Sequence, residues 1–580
     1  MPEEPSPTVS QALTSVPEKS SGEVVTYVAW SKVELALNGP ESVGLSATLN
    51  PYIVQVEVIF TSPQGNTYVV PAFYDGDGLG GLDGNVWKAR FAPDVPGEWR
   101  YASKSTEPRL EAYTGTFTVE PQSGCNEYSP GGLPDFPCTG RLEYTGEHYL
   151  RFNSGEYWLK GGVDDPENFL GKAFGDWNAK KTAVDYLASR GVNSIYLVTN
   201  NVEGDRRDTW PWVGATEEEA KANSDRFDTA KLDQWEDFFD YVQSRGILLH
   251  VILNDDSAWH GYDHNLYYRE MVARFGHHPA LVWNIGEEAN EIYSDAEQQD
   301  LAARLQSLDP YNHPVTVHRK SSWPFLGDPN FDLTSIQPES GGANFTNHIL
   351  MDYNQVVTDH RESSLAAGRL LPIMIDETPR VTKVTPATQY KMRSQVIYPI
   401  YLAGGSYELH YYDVFGMGEV SIQDLSPMLE DLWRARGFIE TLPFDQMESC
   451  NQLLSGKARF CFGKRGVVYA IYFPSGGIGW VDLSAVSGSL DVNWYNPRTG
   501  ESSFAGSIEA GQKQEFVTPD SEDWVLQLGD PSRAYQPYGF QAAQNQNPPA
   551  NPLSGMDLGR NLKETFAFLA YLPVGLESGH

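Results

Sequence analysis

Apolar and polar positions alternate with a period of two from Glu23 to about Glu120, in short runs such as VELAL, YIVQVEVIF, TYVVPAFYD and VWKARFAP, set apart by Gly, Pro, Asn and Asp. A period of two buries one face of each run, and strands at this spacing predict an antiparallel β-sandwich over residues 23–120. A Pro/Gly-rich linker over residues 121–145 follows. Between 146 and 439 the runs YWLKGGV, NSIYLVT, ILLHVIL, ALVWNIG, VTVHR, LTSIQ, PIMID and SYELHYY alternate with stretches of helical period. In KLDQWEDFFDYVQSRG, for example, Leu232, Trp235, Phe238, Phe239 and Val242 recur at helical steps, and Gly246 supplies a stop. Eight apolar strands alternating with helices predict a (β/α)8 TIM barrel. Period two returns in FCFGKRGVVYAIYF, WVDL, LDVNWYNPRTGES and DWVLQL, a second antiparallel β-sandwich domain over 440–529. Residues 1–22, rich in Pro, Ser and Glu, are expected to be a disordered tail. Residues 530–580 are Gln/Asn/Pro-rich and then apolar, a tail of no assigned order.

Charge narrows the partners. With 77 acidic against 42 basic residues the chain carries a formal net charge of −35. It would repel phosphates and anionic lipid, which excludes nucleic acid and membrane surfaces as partners through bulk electrostatics. No run approaches the ~20 apolar residues of a membrane span, and MPEEPSPTVSQ lacks the apolar centre of a signal peptide, so an exported protein would be present here in mature form.

The four cysteines fall as two local pairs, Cys125 with Cys138 and Cys450 with Cys461. This spacing suggests two disulfides and a secreted or periplasmic location; four free thiols in a cytosolic protein is the alternative. No cysteine spacing resembles a zinc site. YDGDGLGGLDGN (Tyr74 to Asn85) has acids at calcium-loop intervals but Val86 where an EF-hand loop ends in glutamate, so it reads as a Gly-rich hairpin connection, and no metal is assigned.

In a (β/α)8 barrel, function sits on the loops that follow the strands. The polar residues there are Asp164, Asp165 and Asn168; Asn200 and Asn201; Asn254, Asp255 and Asp256; Glu287 and Glu288; His318, Arg319 and Lys320; Gln337 and Glu339; Asp376 and Glu377; and His410, Tyr411 and Tyr412. The acids after strands four and seven weigh most, because carboxylates from those strands can flank a bond from opposite sides. Retaining glycosidases hold such a pair about 5–5.5 Å apart, one as acid/base and one as nucleophile.

At these residues the sequence resembles the clan of retaining barrel glycosidases that includes cellulases and β-galactosidases. Their fourth strand ends W-E-I-x-N-E-P, and Trp283-Asn284-Ile285-Gly286-Glu287-Glu288-Ala289 stands in the same register. Their seventh ends P-I-x-h-x-E, matched by Pro372-Ile373-Met374-Ile375-Asp376-Glu377. The resemblance implies Glu288 as acid/base and Glu377 as nucleophile. The clan's Asn before the acid/base, which holds the sugar 2-hydroxyl, is Glu287 here, a second negative charge that would raise the pKa of the pair; the reading with Glu287 as working residue and Glu288 as support stays open. More narrowly, LKGGVDDPENFLG, YREMVARFGHHPALVWNIGEEANE and the FYDGDG of the first sandwich resemble little-characterised bacterial glycosidase-like proteins that combine a β-sandwich, a TIM barrel and a small C-terminal β-domain, over roughly residues 25 to 525.

A glycan cleft needs aromatic platforms for the C–H faces of sugars. Trp177, Trp210, Trp212, Trp259, Tyr262 and Trp323 lie near the loops in question, and Trp210 and Trp212 are the preferred pair, although packing explains any one Trp equally well. Arg206, Arg207, His318, Arg319, Lys320, Arg380 and Lys383 stand out against the acidic background. They either clamp an anionic glycan, sulfated or uronate-containing, or balance nearby acids. His410 and Tyr411 or Tyr412 are expected to orient Glu377, and Asp165, Asn254, Asp256 and Gln337 to hold sugar hydroxyls. The expected activity is hydrolysis of a polysaccharide or oligosaccharide with no cofactor; no oligomeric state is indicated. The alternatives are a glycan-binding protein that has lost chemistry on the same scaffold and a polysaccharide lyase.

Overall fold

The computed structural model describes residues 25–126, 128–164, 169–205, 207–256, 259–340, 342–411 and 420–534. Expectations for the two tails, and for Asp165, Asn168, Arg206 and Tyr412, lie outside the described residues, except that Pro531–Ala534 forms a short helical turn.

At the centre is a closed parallel barrel, with strands at Gly161–Asp164, Ser194–Val198, Leu248–Ile252, Leu281–Asn284, Val315–Thr316 continued by His318–Lys320, Ser335–Gln337, Met374–Ile375 and Ser406–His410. Closure comes from the eighth strand pairing with the first, Gly161 opposite Tyr407 through Asp164 opposite His410. The fifth strand is broken at Val317. Its first half pairs with the fourth strand (Trp283 with Val315) and its second half with the sixth (His318 with Ser335).

Helices cover the barrel where the helical period predicts them. Thr229–Gln243 buries Leu232, Trp235, Phe238, Phe239 and Val242, and Gly246 follows in the left-handed conformation, φ 72°. Between the fifth and sixth strands the chain, 321–334, crosses without a helix and packs Trp323, Phe325 and Phe331 against one another instead. YWLKGGV, expected as one strand, is two. Tyr157–Trp158 belongs to an antiparallel sheet with Leu142–Glu143 and Leu150–Phe152, and the barrel strand begins only at Gly161. That sheet closes the barrel floor: Phe136, Leu142, Leu150, Phe152 and Trp158 cluster with Leu248, Val282, Leu333 and Met374.

Antiparallel sheets flank the barrel on both sides in sequence. The N-terminal sandwich sets a five-stranded sheet, in which Thr26–Val28 adds in parallel, against a three-stranded one around Phe60, Trp87, Phe91, Trp99 and Phe117. It docks on the barrel through fully buried Arg274, which reaches Asp75 at 3.2 Å and Glu270 at 2.7 Å. The C-terminal domain has a six-stranded and a three-stranded sheet, and Arg393 ties it to the barrel by reaching Asp431 at 2.9 Å and Asp523 at 2.7 Å. Both expected disulfides are formed, Cys125–Cys138 and Cys450–Cys461. Among the described residues no helix is long and apolar enough to cross a membrane.

Candidate active site

The interior of this barrel is polar where branched aliphatic layers are the usual filling. Lys160, just before the first strand, is buried with its ammonium 3.0 Å from Asp376 and 2.9 Å from Glu408. Gly162 makes the room, since a Cβ there would lie 2.7 Å from Glu408 Cγ and 2.9 Å from Ser194 Cβ. His250 Nε2 accepts from the Asn284 amide at 3.2 Å, which places the ring proton on Nδ1, where it donates to Glu408 Oε2 at 3.3 Å beside the Lys160 ammonium. Asn284 Oδ1 then accepts from the backbone N–H of Gly286 and of His318, each at 3.1 Å. A continuous hydrogen-bonded chain thus runs from the floor of the barrel to the loops after strands four and five. A buried charge costs little only when paired and hydrogen-bonded, and each charge here is.

Above this network lie the acids. The chain leaves strand four through Gly286, and Glu288 adopts the left-handed conformation, φ 40°, before the turn Ala289–Glu291. For a residue with a Cβ this costs about 1–2 kcal/mol, strain of the kind that collects at functional sites. Glu287 points inward: one of its carboxylate oxygens, a His318 nitrogen and a Glu377 oxygen all lie within 4.8 Å of one another. Glu288 stands nearer the rim, its side chain 12% exposed against 6% for Glu377, and is paired with Lys320, whose ammonium also lies 2.7 Å from Glu291.

Burial first, and the nearby Glu288 carboxylate second, push the Glu377 carboxyl up to about 8, while Gln337 and Lys320 pull it the other way. His410 Nδ1 lies 3.4 Å from Glu377 Oε1 and donates to the Thr378 carbonyl at 2.7 Å. His318 receives Tyr196 OH at 3.0 Å from Nδ1, with Nε2 3.7 Å from Glu377. Burial, together with the charges of His250, His410, Lys160 and Lys320, holds its pKa well below the ordinary value, so a neutral imidazole sits between Glu287 and Glu377. Around the rim, burial and the carboxylates of Asp205, Glu288 and Glu291 raise Asp256 to about 6.

The structure thus brings together Glu287, Glu288, His318, Lys320, Gln337, Glu377 and His410, with Asp256 beside them. Asn254 is buried next to the rim, where its Oδ1 accepts from Asn200 at 3.0 Å and from Tyr262 OH at 3.1 Å. Tyr411 is fully buried, and its backbone N–H donates to Asp164. Arg380, on the loop after strand seven, pairs along the backbone with Asn344, on the loop after strand six.

Other expectations fail on packing. Trp212 is fully buried among Trp259, Tyr262 and Tyr267, with ring centroids 5.1–5.5 Å away, and Trp210 is buried beneath Lys172 and Lys231. Rings enclosed in this way offer a sugar no face, so the pair is core and not a platform. Arg319 turns away from the mouth to Asp295 at 2.8 Å and Gln298 at 2.7 Å, and Glu339 is held by His348 and Tyr353. Lys160, Tyr196, His250, Asn284 and Glu408 were not singled out from sequence. For Lys160, Tyr196, His250 and Asn284 the signal was available: each is a lone polar residue inside an apolar run that the fold must bury.

Comparison with known proteins agrees with this architecture. Residues 26–106 match the family model described as "Domain of unknown function (DUF5060)", and residues 451–529 the one described as "Putative collagen-binding domain of a collagenase". No curated protein matches the chain in sequence. Among solved structures, a "putative glycoside hydrolase" from Bacteroides vulgatus superposes with a TM-score of 0.67 at 17% identity, over 87% of this chain and 99% of that one. A glycoside hydrolase family 5 protein from the same organism gives 0.54 at 16% identity, over 73% of this chain and 98% of that one. At these identities the likeness is one of fold: the chain has a glycosidase-like fold, a TIM barrel between β domains.

Proposed function

We propose that the protein is a retaining glycoside hydrolase acting outside the cytoplasm, an oxidising setting that its two disulfides fit. The observation that carries this reading is the meeting of Glu377, from the end of strand seven, with the Glu287–Glu288 pair, from the end of strand four, across His318 at the loop end of the barrel. In the first step Glu377 attacks the anomeric carbon as the glycosidic C–O bond breaks and Glu288 gives its proton to the leaving oxygen. In the second, Glu288 takes a proton from water, which attacks the same carbon and releases Glu377. To Glu287, whose carboxylate lies within 4.8 Å of Glu377, we assign the sugar 2-hydroxyl, and to Glu288, the more exposed of the two, the leaving group. Asn254, Asp256 and Gln337 are the residues we assign to sugar hydroxyls, and His410 and Tyr411 to the support of Glu377.

The mouth is rich in acid, with Asp205, Asp255, Asp256 and Glu291 beside the three glutamates, and two of its expected cations are engaged, Lys320 with Glu288 and Arg319 with Asp295. This favours an uncharged glycan. The test is release of reducing sugar from neutral, uronate and sulfated glycans by wild type and Glu377→Gln, with the anomer of the first product read by NMR. Retained configuration, lost in Glu377→Gln, is the expected result. Binding without release from any glycan would instead assign the chain to glycan-binding proteins on a glycosidase scaffold.

A further inference from the structure

On the flank of the barrel, beneath the N-terminal sandwich, a second set of side chains converges. Glu236 and Asp240 stand one turn apart on the helix Thr229–Gln243, and His277 and His278 follow the end of the helix His264–Phe275. One donor atom from each of the four lies within 4.8 Å of those of the other three. His277 Nε2 is 3.1 Å from Glu236 Oε1, and His278 Nε2 is 3.4 Å from Glu236 Oε2. Yet both Nε2 atoms, and Glu236 Oε2, are buried with no hydrogen-bond partner. The ring nitrogens therefore approach the carboxylate without aiming N–H bonds at it. Four ligands about 2.0–2.1 Å from a tetrahedral ion stand about 3.3 Å from one another; the contacts of His277 and His278 with Glu236 are already at that spacing, and the remaining pairs, all within 4.8 Å, would close by up to about 1.5 Å on an ion.

A cation from the protein already occupies the acid side of this group. Lys32, from the sandwich, places its ammonium 2.7 Å from Glu236 and 2.6 Å from Asp240, and its side chain is 31% exposed, so it can swing into solvent. Arg90 lies 3.4 Å from the other oxygen of Glu236 and is buried in place.

We propose that Glu236, Asp240, His277 and His278 form a site for a zinc-class divalent ion that exchanges with the ammonium of Lys32. Two imidazoles with two carboxylates suit zinc or cobalt; calcium and magnesium take oxygen ligands. Two carboxylates balance the ion's double charge. Because the ion and Lys32 compete for the same two carboxylates, a bound ion releases one tether between the sandwich and the barrel. None of this depends on the glycosidase reading, since the group lies on a different face from Glu377.

The test is titration of the full chain with Zn2+ by calorimetry and with Co2+ by visible absorption, with folding of each variant checked by circular dichroism. One ion per chain is expected, and bound Co2+ should show the intense visible bands of a four-coordinate ion. His277→Ala and His278→Ala should each weaken binding at least about tenfold. Lys32→Met, which leaves all four ligands intact, should tighten it about tenfold by removing the competing cation. Should a histidine variant fail to fold, the Lys32→Met change and the Co2+ spectrum still decide the matter. Absence of binding in both wild type and Lys32→Met overturns the proposal. So does binding that none of the three variants alters, or a Co2+ spectrum with only weak six-coordinate bands, either of which would mean an adventitious ion only.

Discussion

The ammonium of Lys320, from the end of the fifth strand, is paired with the carboxylate of Glu288, from the turn after the fourth. The same charge is one of the two influences that lower the pKa of Glu377 against burial and Glu288. Lys320→Met removes it, so Glu377 should ionise only above its present value of about 8. A carboxylate nucleophile works ionised, and the acidic limb of kcat/KM is therefore expected to move to higher pH, by up to about one unit. A pH–rate profile of the variant checks this. A limb that stays in place would mean that Glu377 is not the group whose ionisation starts the reaction.

Glu287→Asn gives the opposite sign. The variant restores the residue type of the resembled clan and removes a negative charge that lies within 4.8 Å of Glu377 and His318. With less like charge nearby, Glu377 loses its proton more readily, and the acidic limb should move to lower pH. Binding of the 2-hydroxyl is kept by the amide, so kcat/KM at its optimum is expected to stay within about tenfold of wild type. Complete loss of turnover, with Glu288→Gln still active, would transfer the acid/base role to Glu287.

Lys160→Met tests the buried network. It leaves Asp376 and Glu408 together in the barrel without their cation, which should cost about 3–5 kcal/mol of stability. Thermal unfolding of Lys160→Met and of the triple variant Lys160→Met/Asp376→Asn/Glu408→Gln is the measurement. The triple variant should recover a large part of the loss, since no charge is then left unpaired.

Trp212→Ala separates packing from sugar stacking. The ring is fully buried against three other aromatic rings, so its removal should destabilise the protein by about 3–5 kcal/mol. Trp212→Phe should retain most of the stability and leave KM unchanged. A rise in KM in the Phe variant at unchanged melting temperature would restore the platform reading.

The barrel strands were legible because each is a short apolar run bounded by turn residues, and the catalytic candidates because strand four and strand seven end in registered acids. What escaped was any change in partner that leaves hydrophobicity unaltered. Trp158 and Leu159 are both apolar and both buried, so apart from Lys160 nothing marks the passage from the floor sheet to the barrel strand in YWLKGGV. Val317 is likewise apolar, and the break in strand five concerns only which neighbour the backbone pairs with. Trp210 and Trp212 misled because position near a loop does not say whether a ring face is covered. Lys160 and His250 could have been found, since a charge within an apolar run demands partners from other strands.

The sheet beneath the barrel decides how this chain can be cut. A fragment that began at residue 146 would keep Leu150, Phe152 and Trp158 but lose Phe136 and Leu142, opening an apolar hole under Leu248, Val282 and Met374. The smallest piece that recombination or engineering can move intact therefore starts ahead of Phe136: the barrel travels with its floor attached.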